Sequence, residues 1–225
     1  MEVFIARSLT KIKKAARGRH PELKAACEKA LTGLAETKKD AGRENADQYF
    51  EPFKLACESQ NASIVEEALD CLQKLIAYGY LRGTARRATK RLDDGEDLDV
   101  AKGSRSSMDA IVGTICACDD FDDDNVQLQV IKALLTAVTS NTCEIHEGSL
   151  LIAVRSCYNI HLVTKNQVNK TTAKATLTQM LSIVFQRMEA YDQRTRLAEK
   201  EDNRQRKSSS SDSAEATAAK PVPEQ

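Results

Sequence analysis

Apolar side chains that recur every three or four residues are the feature that most constrains this chain. The pattern is clearest over residues 63–79, where a broad stripe joins Ile64, Val65, Ala68, Leu69, Leu72, Leu75 and Ile76. This spacing matches the 3.6-residue period of an amphipathic helix, and no alternating strand pattern competes with it. Glycine and proline, which the turns of sandwiches and barrels consume, number only 9 and 4 among 225 residues. The sequence therefore predicts an all-α fold.

The same spacing predicts about eight helices in succession. They span roughly 2–17, 21–34, 47–57, 63–79, 106–118, 125–139, 147–164 and 171–192. Most are joined by short turns, and no fixed repeat period is visible in the sequence. Successive helices with broad apolar faces favour an armadillo/HEAT-like, right-handed α-solenoid.

The apolar pattern is interrupted once and later ends. Residues 82–105 hold a basic run followed by an acidic run, with little to bury, which predicts a mobile surface loop. Beyond residue 197 the apolar spacing is lost, and residues 208–211 are all serine. We therefore predict one helical-repeat domain over 1–197, with the loop inside it, and a disordered tail or linker over 198–225.

Local signals mark three helix ends. Ser63 and Glu66 fit a capping box at the start of one helix, and Gly79 is a natural stop at its end. Asp124 is predicted to cap the helix over 125–139.

Charge and cysteine content limit the partners and the compartment. The 33 basic and 33 acidic side chains balance, so no net field favours nucleic acid or an anionic membrane surface. Neither a signal peptide nor a membrane-spanning stretch is expected. Seven cysteines, an odd number spread over the chain, predict reduced and buried thiols in a cytosolic protein.

Motifs for chemistry are missing from the sequence. It has no phosphate-binding glycine loop, dinucleotide fingerprint, nucleophile elbow or kinase motif. Six residues suggest zinc by their types but not by their spacing: Cys116, Cys118, Cys143, His146, Cys157 and His161. The acidic run at 119–124 lacks the central glycine and terminal glutamate of a calcium loop. We therefore predict no catalytic residue, no cofactor and no metal.

One helix surface remains as a candidate binding site. Opposite the apolar stripe of helix 63–79 lie Asp70, Gln73, Lys74 and Ala77, ending near Tyr78. Asp70 and Lys74 are four residues apart and are open to interpretation as a helix-stabilising pair. Tyr78 and Tyr80, on either side of Gly79, have the amphipathic character of binding hot spots.

Five segments of the sequence, in order, are LDCLQKLIAYG at 69–79, VQLQVIKALLTAV at 126–138, EIHEG at 144–148, AVRSCYNI at 153–160 and TTAKATLTQM at 171–180. Together they resemble the N-terminal dimerisation and cyclophilin-binding (DCB) region of the large brefeldin-A-inhibited guanine-nucleotide exchange proteins. The resemblance covers about residues 4–190. It is weakest over 82–105.

The resemblance implies a non-catalytic regulatory and recruitment domain of an Arf exchange factor, without the exchange domain itself. The implied partners are a GTP-loaded Arf-like small GTPase, a second copy of the chain and the neighbouring helical domain of the same protein. The implied location is the cytosolic face of the Golgi and trans-Golgi network, with the membrane met only indirectly.

We place the GTPase contact on the surface of helix 63–79. The residues expected to form it are Asp70, Gln73, Lys74, Ala77 and Tyr78. The alternative is a general α-solenoid adaptor in trafficking that binds a different protein or a peptide.

Overall fold

A computed structural model describes residues 1–16, 18–37, 46–83, 107–142, 145 and 147–215, and only the backbone of 147, 199 and 201–215. A short 3-10 helix spans Asp47–Tyr49. The α-helices are α1 Glu2–Ala15, α2 Pro21–Thr37, α3 Phe50–Cys57, α4 Ala62–Ala77, α5 Ser107–Cys116, α6 Asp124–Thr139, α7 Glu147–Val163 and α8 Gln167–Glu215. Within these ranges there is no strand, so the all-α prediction is confirmed. Their packing is solenoid-like, and the right-handed sense stays a prediction.

Helix α4 is the central element of the packed core. It packs most extensively on α6, then on α1 and α3. Its fully buried side chains include the predicted stripe and one cysteine: Ile64, Val65, Ala68, Leu69, Cys71, Leu72, Leu75 and Ile76. Burying one such aliphatic side chain contributes about 1.5–3 kcal/mol, so this helix carries a large share of the stability.

Helices α1 and α4 run antiparallel. The ring of Phe4 lies on that of Tyr78, with centroids 5.6 Å apart. Further along α1 the hydroxyl of Ser8 donates to a carboxylate oxygen of Glu67 at 2.8 Å. As α1 advances from residue 4 to 8, its contacts on α4 move back from 78 to 67.

Helix α6 runs parallel to α4 on its other flank. The side-chain amide of Gln73 donates to the hydroxyl of Thr136 at 3.1 Å. Near the end of both helices, a β-carbon built on Gly79 would lie 3.2 Å from Cγ2 of Thr142. The outer surface of α4 is therefore flanked by α1 on one side and α6 on the other.

The two predicted N-terminal caps are displaced along the chain. The Asn61 side chain accepts from the backbone amides of Ser63 and Ile64, so α4 starts before the predicted capping box. Asp123, not Asp124, caps α6 by accepting from two backbone amides. In both cases an earlier Asn or Asp in extended conformation, the backbone state of an N-cap, takes the capping position.

The predicted stop at Gly79 is confirmed. Gly79 adopts φ of +68°. Its amide donates to the Ile76 carbonyl, and the Tyr80 amide donates to the Leu75 carbonyl. These two bonds are the Schellman pattern, which needs a left-handed residue after the helix end. The motif fixes where Tyr78 leaves the helix.

Helix α7 has a different environment. Its inner side buries Ala153, Cys157 and Ile160. Its outer side exposes Leu151 to 71%, Tyr158 to 52% and Leu162 to 59%. The apolar spacing of this helix does not distinguish these exposed side chains from the buried ones.

The chain forms two compact units, Met1–Met180 and Leu181–Gln225. In the second unit α8 continues past residue 197 to Glu215. The predicted boundary at 197 and the disordered tail stay predictions. Most of the loop predicted at 82–105 lies outside the described residues.

Candidate functional site: the outer face of α4

The five predicted site residues lie together on the outer side of α4 and at its C-terminal end. Asp70, Lys74 and Ala77 fall within about 60° of one another around the helix axis, given the advance of about 100° per residue. Asp70 and Lys74 are partly exposed and Ala77 is exposed. Tyr78, the C-cap residue, is 62% exposed. We call the surface formed by these residues and Gln73 the α4 face.

An ion pair crosses the centre of the α4 face. The Lys74 ammonium donates a hydrogen bond to a carboxylate oxygen of Asp70, four residues earlier. This hydrogen bond raises the pKa of Lys74, so the ammonium stays charged at neutral pH. The helix-stabilising interpretation of this spacing is therefore met, and the pair also presents both charges to solvent side by side.

Gln73 marks the boundary of the face with α6. Its amide nitrogen donates to Thr136, whose hydroxyl in turn donates to the Lys132 carbonyl at 2.8 Å. These bonds order the Gln73 side chain.

Glu67 forms the boundary with α1. One carboxylate oxygen accepts from Ser8, and the other accepts from the Lys11 ammonium at 2.8 Å. The Glu67 side chain is 20% exposed, so solvent screens its ion pair less than it screens a fully exposed surface pair. These two contacts fix the register of α1 against α4.

An aromatic cluster ends the α4 face. Phe4 and Tyr78 are stacked, with an interplanar angle of 14°. Tyr80 follows at 6.1 Å from Tyr78, tilted by 39°. Sequence reasoning singled out the two tyrosines and missed Phe4. Phe4 lies on another helix, and only the register between α1 and α4 brings it to this end.

The cysteines lie inside the protein and away from the α4 face's solvent side. Six of the seven are within the described residues, and all six are buried with free thiols. Burial raises the pKa of Cys71 and of Cys157 to about 12. A thiol with such a pKa is a poor nucleophile and a poor metal ligand at neutral pH.

The suggested zinc set is not assembled in the described residues. Cys143 and His146 lie outside them, and the described part of the chain holds no group of three or more metal-binding side chains. The His161 ring bonds the Lys170 carbonyl through Nδ1 at 2.9 Å, linking α7 to α8.

The acidic run before α6 lines a cleft of about 420 Å³ with Thr164 and Lys165. Asp123 is occupied as the α6 cap, and an Asp124 carboxylate oxygen accepts from the Asn166 amide at 2.8 Å. These carboxylates therefore serve helix α6 and its junction with α8.

Comparison with known proteins agrees with the resemblance noted in the sequence. The family model described as DCB, "Mon2/Sec7/BIG1-like, dimerisation and cyclophilin-binding domain", matches residues 2–192. This range takes in the α4 face and most of the ordered helices.

The chain belongs to this DCB family.

Named relatives come from animals, plants and fungi. The human brefeldin A-inhibited guanine nucleotide-exchange protein 1 is 46% identical over 90% of this chain and 12% of its own length. A brefeldin A-inhibited guanine nucleotide-exchange protein 2 of Arabidopsis thaliana is 42% identical over 65% of this chain and 8% of that protein. The fission-yeast ADP-ribosylation factor guanine nucleotide-exchange factor sec71 is 36% identical over 62% and 7%.

This DCB domain spans about a tenth of the length of such relatives, 12% in the human case. The relatives are named for nucleotide exchange, whereas the matched family is named for dimerisation and cyclophilin binding. The chain is therefore an interaction domain from the family of Arf exchange factors. Among the described residues, no helix is both long and apolar enough to cross a membrane.

Proposed function

We propose that this DCB domain recruits an Arf exchange factor to the cytosolic face of the Golgi or trans-Golgi network by binding a GTP-loaded Arf-like small GTPase. The contact is the α4 face: Asp70, Gln73, Lys74, Ala77 and Tyr78. The observation that carries the proposal is the conjunction of an exposed aromatic ring with a solvent-facing ion pair on one rigid helix.

The chemistry of the face suits an active small GTPase, which exposes an apolar patch between its two switch regions. Tyr78 and Ala77 offer apolar area to such a patch, and Lys74 and Asp70 offer charges at its edge. Tyrosine provides large contact area for little loss of conformational entropy, and is therefore common among hot-spot residues.

The setting of the face suits recognition because it is rigid before binding. Helix α4 is held on both flanks, by Glu67 toward α1 and by Gln73 toward α6. A surface that is already ordered loses less entropy when a partner binds. In this proposal the domain also self-associates, which the name of the matched family supports. We further propose that it packs on the neighbouring helical domain of the same protein.

A pull-down tests the GTPase proposal. Purified chain is offered Arf-like and Arf GTPases, each loaded with a GTP analogue or with GDP. We expect one GTPase to bind when loaded with the GTP analogue and not when loaded with GDP. The double variant Lys74→Ala, Tyr78→Ala should abolish that binding and leave the melting curve of the domain unchanged.

A matched control comes from α7. Arg155→Ala with Tyr158→Ala also removes one cation and one exposed tyrosine, but from another helix, and should bind as the wild type does. Retained binding by the α4 double variant would contradict the proposed face. Absence of binding to every GTPase would favour the alternative, an adaptor for another protein or peptide.

A further inference from the structure

The aromatic end of the α4 face contains a ring that the five proposed contact residues do not include. Phe4 of α1 stacks on Tyr78 and is still 39% exposed, while Tyr78 is 62% exposed. Each ring covers part of the other and leaves its remaining surface to solvent. The pair therefore forms one continuous apolar patch across two helices.

Stacking also orders Tyr78. Because Tyr78 follows the last residue of α4, its backbone position is set by the Schellman bonds around Gly79. Its ring lies between Phe4 at 5.6 Å and Tyr80 at 6.1 Å. A ring held on both sides has fewer rotamers to lose when it is covered by a partner.

The position of Phe4 depends in turn on how α1 is docked. Ser8 and Lys11 both bind the Glu67 carboxylate. These two residues follow Phe4 by four and seven positions, and therefore share its side of α1. The contacts with Glu67 hold that side of α1 against α4.

We infer that Phe4 is part of the GTPase-binding surface, so that the partner's apolar patch covers a two-ring element made of Phe4 and Tyr78. This inference rests on the proposed function and extends it from α4 to α1. The occupant is the apolar inter-switch surface of a GTP-loaded Arf-like GTPase. Charged groups at its edge meet Lys74 and Asp70.

The test measures affinity for the GTPase in its GTP-analogue form by titration calorimetry, using the full chain. Phe4→Ala should weaken binding about tenfold or more, the effect expected for truncating a central aromatic contact. Phe4→Tyr, which keeps the stacked ring, should bind within about threefold of the wild type, as expected when the contact area is retained.

Val3→Ala is the matched control, because Val3 is the neighbouring residue and is 78% exposed but has no ring in the stack. It should bind as the wild type does. Thermal unfolding of each variant separates loss of the surface from loss of the fold. If Phe4→Ala is unstable, Phe4→Leu, which keeps apolar volume but removes the stacked ring, takes its place and should also weaken binding.

The outcomes distinguish this inference from the proposed function. Wild-type affinity in Phe4→Ala, together with lost binding in the Lys74→Ala, Tyr78→Ala variant, would overturn the role of Phe4 and leave the α4 face intact. No binding by the wild-type chain would overturn both. Weakened binding in Phe4→Ala with recovery in Phe4→Tyr supports both.

Discussion

Helices α4 and α7 have similar lengths, 16 and 17 residues, and differ in what covers them. Neighbours on both flanks bury eight residues of α4 and leave only a narrow polar face with one aromatic end. Helix α7 is packed on its inner side, and its outer side leaves Leu151, Tyr158 and Leu162 more than half exposed. An apolar face in a sequence therefore indicates a helix, but whether that face is buried depends on whether a neighbour covers it.

Removing a leucine from each helix should produce the largest difference between them. Leu72→Ala leaves a cavity among fully buried side chains and should lower the free energy of unfolding by about 2–5 kcal/mol. Leu151→Ala, at a side chain that is 71% exposed, should change it by about 0.5 kcal/mol or less. Urea unfolding followed by circular dichroism measures both. Equal losses would mean that the outer side of α7 is covered in solution.

Replacing a glycine at the end of α4 and one in α7 should produce a smaller difference in stability than the leucine variants do. Gly79→Ala meets a positive φ and a tight contact with the Thr142 side chain, and should cost about 1–2 kcal/mol from the left-handed conformation alone. Gly148→Ala, near the start of α7, has no atom within 4 Å of the added carbon. It should be neutral or stabilise by up to about 1 kcal/mol, because alanine favours helix. The melting temperature should fall in Gly79→Ala and should stay the same or rise in Gly148→Ala, and a fall in both would contradict the open space at Gly148.

The buried cysteines of the two helices should affect the pH dependence of stability to the same extent, which is the smallest difference expected between α4 and α7. Burial raises the pKa of Cys71 on α4 and of Cys157 on α7 to about 12. In the unfolded chain a thiol ionises near the reference pKa of about 8.5, so between these values the folded state holds more protons. Each thiol therefore contributes stability that is complete below about pH 8 and falls as pH rises from there toward 12.

Replacing either cysteine by alanine should flatten this loss at alkaline pH. Unfolding free energies of Cys71→Ala and Cys157→Ala, measured from about pH 7 to 10, should decline less steeply than that of the wild type. The two slopes should agree. A flatter dependence of the unfolding free energy on pH in only one variant would mean that burial raises the pKa of the two thiols to different extents.

Local sequence signals predicted the helices well and their exact ends less well. The period of apolar residues gave each α-helix within a few residues at most ends, and Gly79 marked a true stop. The caps moved to Asn61 and Asp123 because several neighbouring polar residues compete for each cap. Sequence alone does not say which of them adopts the extended backbone of an N-cap.

Contacts between helices account for what the sequence did not predict. The predicted residues of the α4 face share one side because they lie on one helix, where spacing determines position. Phe4 reaches that face only because α1 packs against α4 in a particular register. That register depends on the hydrogen bond between Ser8 and Glu67, which are 59 positions apart in the sequence. Leu151 lies on a helix with regular apolar spacing and is still 71% exposed, which the spacing alone does not predict.

Because α1 and α6 flank α4, the complete α4 face exists only in the folded chain. Its three helices meet across separations of 59 and 63 residues, as the Ser8–Glu67 and Gln73–Thr136 bonds show. A synthetic peptide that copies Ala62–Ala77 would have the same letters and neither flank, and a free helix of about this length is only marginally stable in water. An antibody or partner selected against this surface would therefore discriminate folded copies from unfolded ones. In the cell, a chain in which α1 has not yet packed against α4 would therefore lack this surface.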